Sequence, residues 1–186
     1  MHRRDLLHLL GSFALVPALA PFSAERRLEI AEALHRRVGL AGLRILTPAQ
    51  DAAVTAVAEA IIPRTDTPGA TDAKVNEFID LLLADYYTDE ERARLLRGID
   101  AIDAEAKAFG STTFAAATRE RQQTLLERWD NAESGPETAT AAFKRLKNLT
   151  IYGFFTSRIA VEQVTKPVIF HPAFEGCVPF PAGGAR

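Results

Sequence analysis

The sequence predicts an all-α protein, a compact bundle of about five to seven helices followed by an irregular, proline-rich C-terminal tail. Three observations lead there. Apolar residues recur at steps of three and four through most of the chain, and no alternating stretch of useful length argues for a strand. Thr47 and Thr88 open segments with the Thr-x-x-Gln and Thr-x-x-Glu spacing of a capping box, which marks a helix start. Clusters of Pro, Gly, Asp and Thr separate the periodic segments, and beyond Thr165 the residues Pro167, Pro172, Pro179 and Pro181 exclude regular helix. At 186 residues, 47% hydrophobic and 25% charged, the chain can bury one core without covalent staples. The net charge of −2 offers no concentrated basic surface, so nucleic acid is not an expected partner.

Residues 1–20 read as a twin-arginine signal peptide. Arg3 and Arg4, one spacer, then Leu6 and Leu7 resemble such an export signal, and Ala18-Leu19-Ala20 has the small-x-small pattern of a cleavage site. His8, Gly11, Ser12 and Pro17 interrupt the apolar run, which is short for a bilayer span. The twin-arginine translocase is the expected partner during export, and the periplasm the expected location. Pro21 directly after the cut disfavours cleavage there, and an uncleaved signal would attach the protein to the inner membrane.

Residues 21–46 are an N-terminal helix and linker: Leu28, Ala31, Leu34 and Val38 share helical spacing from Glu25 to Val38, and Gly39 and Gly42 break the pattern. Residues 47–166 form the main helical domain. Its first helix begins at Thr47-Pro48-Ala49-Gln50, buries Val54, Val57 and Ile61, and stops at Pro63. A second runs from about Lys74 to Tyr86, with Asp80 and Glu77 expected on an exposed face. A third follows Thr88, with Leu95, Ile99, Ile102, Ala106 and Phe109 on one stripe and Gly110 as its stop. Phe114 is expected to plug the core from a turn. Thr118 to Asp130 carries Leu125, Leu126 and Trp129, and Ser134 and Glu137 are placed to cap a last long helix from about Pro136 to Phe155. Residues 167–186 are the extended tail.

Between two of these helices, Ile61-Ile62-Pro63-Arg64-Thr65-Asp66-Thr67-Pro68-Gly69-Ala70 holds two prolines, a glycine, threonines and an aspartate. Such chemistry makes a rigid loop, with Asp66 capping it. This stretch, Glu77-Phe78-Ile79-Asp80 after it, Phe109-Gly110 with Phe114, Leu146-Lys147-Asn148-Leu149-Thr150 leading to Phe154-Phe155-Thr156-Ser157, and Pro172-Ala173-Phe174-Glu175-Gly176-Cys177 together resemble the gluconate 2-dehydrogenase subunit 3 family over roughly residues 46 to 179. The resemblance implies a non-catalytic small subunit of a periplasmic or membrane-bound dehydrogenase acting on sugars, polyols or sugar acids. It also implies a large flavoprotein partner of the glucose-methanol-choline type that holds FAD, and in some complexes a cytochrome c subunit.

The residues themselves show no catalytic constellation. The dinucleotide fingerprint, the P-loop and the serine elbow are absent, so no cofactor is expected in this chain. Glu32 and His35 have Glu-x-x-His spacing, but a di-iron site needs a second such motif and two more carboxylates, so His35 reads as a surface histidine. Two other readings remain open: a membrane-tethered structural protein and a small metal-dependent enzyme. The surplus of late aromatics, Tyr152, Phe154, Phe155, Phe170, Phe174 and Phe180, exceeds what one small core needs. The partner surface is therefore placed there and on Pro63, Thr65, Asp66 and Pro68. Cys177, the only cysteine, is either a small buried residue or a disulfide partner for another subunit.

Overall fold

The computed structural model describes residues 16–132 and 138–166. Their order is α1 (Ala24–His35), α2 (Pro48–Ile61), α3 (Val75–Tyr86), α4 (Asp89–Ala108), α5 (Arg119–Asn131), α6 (Ala139–Phe155) and a short α7 (Arg158–Ala160) that continues into a π turn, Val161–Thr165. No strand occurs among the described residues, and no helix there is long and apolar enough to cross a membrane.

Both predicted capping boxes form. Thr47 accepts from the Gln50 amide while Gln50 accepts from Thr47, with Pro48 at the first helical position, and Thr88 and Glu91 reciprocate in the same way. α6 starts from Thr138, whose hydroxyl accepts from the Ala141 amide. The expected start at Pro136 and caps Ser134 and Glu137 lie outside the described residues.

The centre of the bundle is α6, which packs most extensively on α4 and also on α2, α3 and α5. Small residues let the helices approach closely: a Cβ on Gly98 of α4 would meet the Ala142 Cβ at 2.7 Å, and one on Gly153 would meet the Phe78 ring at 2.7 Å. Phe114 is fully buried as expected, its ring 5.7 Å from that of Trp129, whose indole donates to Glu105 at 2.7 Å.

Two stripe residues depart from expectation. Phe109 is 42% exposed because it falls just past the last residue of α4, where helical spacing no longer governs direction. Leu28 is 43% exposed because α1 buries Ile30, Ala31 and Leu34 instead, a stripe rotated away from it. Within residues 1–20, Val16 and Leu19 are buried in the core, flanking a single 3-10 turn at Pro17–Leu19.

Candidate partner interface

The loop after α2 is tied down by carboxylates. The chain reverses so that the Ala70 amide donates to the Ile62 carbonyl at 2.9 Å. Glu59 accepts from the Arg64 amide at 2.8 Å, the Thr71 amide at 3.1 Å and the Thr71 hydroxyl at 2.7 Å. Asp72 accepts from the Gly69 amide at 2.8 Å and pairs with Arg64 at 3.3 Å. Composition points to Asp66 as the cap of this loop, but the capping carboxylates are Glu59 and Asp72, and Asp66 is exposed. Gly69 is buried under the reversal: a Cβ there would lie 2.5 Å from the Arg64 amide nitrogen. Pro63 and Thr65 are exposed with Asp66, and Pro68 is partly buried. Beside Pro63 a groove of about 650 Å³ runs between α2 and α5, lined by Ala56, Glu59, Ala60, Gln122 and Leu126.

The aromatic end of α6 corrects the second part of the predicted surface. Tyr152 and Phe154 are buried in the chain's own core. Tyr152 stands edge-on to Phe78, with centroids 5.6 Å apart, and its hydroxyl donates to the Arg27 carbonyl. Phe154 meets Phe155, itself partly buried, edge-on at 5.2 Å. Tyr152 is absorbed because it helps to seat α1, a role that the helix pattern of α6 alone does not reveal. Phe170, Phe174, Cys177 and Phe180 of the tail and Arg3, Arg4, Leu6 and Leu7 of the export signal lie outside the described residues.

His35 belongs to the same seat and is not a surface histidine. Its ring stacks on Phe78 at 4.5 Å, and Nε2 lies 3.0 Å from the Thr156 hydroxyl, which donates to the Tyr152 carbonyl. Burial pushes its pKa down to about 4, against a backbone hydrogen bond with Gly153 that favours the charged form. Glu32 is exposed and pairs with Arg36 at 2.6 Å. Among the described residues, no group of three or more His, Cys, Asp or Glu could hold a metal ion.

Asp80 is where sequence reasoning missed most. Expected on an exposed face, it is fully buried and accepts from the Arg44 amide at 2.7 Å, the Ile45 amide at 2.9 Å and the Leu46 amide at 2.7 Å. On the same helix, Glu77 accepts from the Gly39 amide and Asp85 pairs with both Arg37 and Arg44. These carboxylates of α3 clasp residues 37–46. The signal was present in the sequence: Phe78, Ile79, Leu81, Leu82 and Leu83 surround Asp80 so completely that α3 has no solvent face at that position. The clasped segment holds out Leu40, 83% exposed, between two glycines at φ +81° and +63°, and Leu43, 41% exposed, directly after the second of them.

Residues 48–176 match the family model of gluconate 2-dehydrogenase subunit 3. The chain belongs to that family. No curated protein and no solved structure matches it. The match begins at Pro48, the first residue of α2, so the subunit 3 region takes in α2 to α7 and the loop at Pro63, while α1 and the clasped segment precede it. As a subunit 3 protein, the chain is an accessory subunit of a dehydrogenase complex.

Proposed function

We propose that this chain is the non-catalytic small subunit of a periplasmic, FAD-dependent dehydrogenase that oxidises a sugar or sugar acid, and that it supports export and stability of the catalytic subunit. The observation that carries the reading is the subunit 3 match over residues 48–176. The catalytic partner is a large flavoprotein of the glucose-methanol-choline type. Arg3 and Arg4, followed by Leu6 and Leu7, direct a folded complex to the twin-arginine translocase. The flavoprotein, with FAD already enclosed, crosses the membrane bound to this chain. The complex then stays in the periplasm. Partner contacts are assigned to the exposed loop residues Pro63, Thr65 and Asp66, with the tail aromatics and Cys177 as further contacts.

The test is a pull-down of C-terminally tagged protein from the periplasm and membranes of its native cells, with a flavin absorbance scan of the eluate. A yellow, roughly equimolar large subunit is expected; a colourless lone chain overturns the reading. With Arg3→Lys and Arg4→Lys together, the periplasmic eluate should lose the flavoprotein, and an undiminished amount counts against the escort role.

A further inference from the structure

We infer that the exported subunit keeps residues 16–20 as part of its fold and is not cut between Ala20 and Pro21. Four groups of contacts hold this short stretch, and a fifth braces the arginine that supplies one of them. Val16 and Leu19 are buried in the core. The turn is closed by the Leu19 amide donating to the Val16 carbonyl at 2.9 Å and the Ala20 amide donating to the Pro17 carbonyl at 3.0 Å. The Phe22 amide then donates to the Leu19 carbonyl at 3.1 Å, and the Phe22 ring meets Tyr86 edge-on at 6.5 Å. Arg27 donates through Nε to the Leu19 carbonyl at 2.9 Å and through Nη2 to the Ala20 carbonyl at 3.1 Å. The carbonyl of Arg27 is in turn held by the buried Tyr152 hydroxyl.

A peptidase takes its substrate as an extended strand, pairing with the backbone on both sides of the bond and seating side chains in pockets. Ala20 and Pro21 are themselves exposed, but Leu19 and Val16 on the leading side are not. Reaching the bond therefore requires extracting two core side chains and breaking the bonds that Arg27 makes. An exported chain that is already folded presents the turn, not a strand. Pro21 adds to this by fixing its own φ and offering no amide to such pairing.

The inference rests on the proposed export only for where the protein is collected, and a second measurement is independent of it. Intact mass of the tagged subunit recovered outside the cytoplasm should place its first residue at or before Val16; a mass beginning at Pro21 or later overturns the inference. Separately, the chain is made in two forms, one complete and one starting at Pro21. The shortened form should melt lower by about 10 °C, as expected for losing two buried aliphatic side chains in a domain of this size. Equal melting temperatures overturn the inference even where no export is seen. If the chain never leaves the cytoplasm, the export proposal fails while the melting comparison still decides whether residues 16–20 belong to the fold.

Discussion

Two segments join helices through turns rich in Gly, Pro or both, and carboxylates hold each of them, but by different routes. The loop from Pro63 to Ala70 is held from close by, by Glu59 on the helix it leaves and Asp72 just beyond it. The segment from Arg37 to Leu46 is held from a distance, by Glu77, Asp80 and Asp85 on a helix 34 to 48 residues away in the chain. A locally held loop keeps its shape from its own sequence. A segment held from afar has its shape only when the rest of the bundle is folded.

The sharpest way to break this contrast is Asp80→Ala. It removes the buried acceptor of three backbone amides and should cost about 3 kcal/mol, read from the urea midpoint. A loss under about 1 kcal/mol would mean that the clasp does not depend on its central carboxylate. Gly69→Ala attacks the other loop. The added Cβ would lie only 2.5 Å from the Arg64 amide nitrogen and must displace that backbone, with an expected cost of about 2 kcal/mol in thermal unfolding, and an unchanged midpoint would show that the reversal yields freely.

The smallest effect is expected from Asp85→Asn, at most about 1 kcal/mol at neutral pH, because its pairs with Arg37 and Arg44 are partly exposed. Burial works against the Asp85 charge, but hydrogen bonds and charges from those arginines outweigh it and hold the carboxyl below its ordinary value of 3.8. Because the folded value is the lower one, the contribution is complete above pH 3.8 and is lost as pH falls through the folded value. Unfolding curves of wild type and Asp85→Asn should therefore differ by a constant amount at neutral pH and converge only in more acidic solution. A gap that closes between pH 7 and 5 would contradict the pairing.

The same contrast explains what the sequence made legible. Helix starts at Thr47 and Thr88, the stop at Gly110 and the turn at Pro63 are local chemistry, readable within four residues, and the structure has them where expected. The roles of Asp80, His35 and Tyr152 are long-range, and pattern alone puts each of them, like the buried Phe154, on a surface that it does not occupy. Periodicity places a side chain on a helix face but does not say what covers that face. Asp66 failed for a different reason: three carboxylates lie close enough to cap one turn, and composition does not choose among them.

The seat of α1 also sets an order of events. Arg27 and Tyr152 are 125 residues apart in the chain, and His35 and Thr156 are 121 apart. As the ribosome extends the chain, α1 emerges first of the six long helices, yet its docking surface includes residues that emerge almost last. The earliest helix to be made is among the last to acquire a home, and its docking marks a polypeptide that has been completed through Thr156.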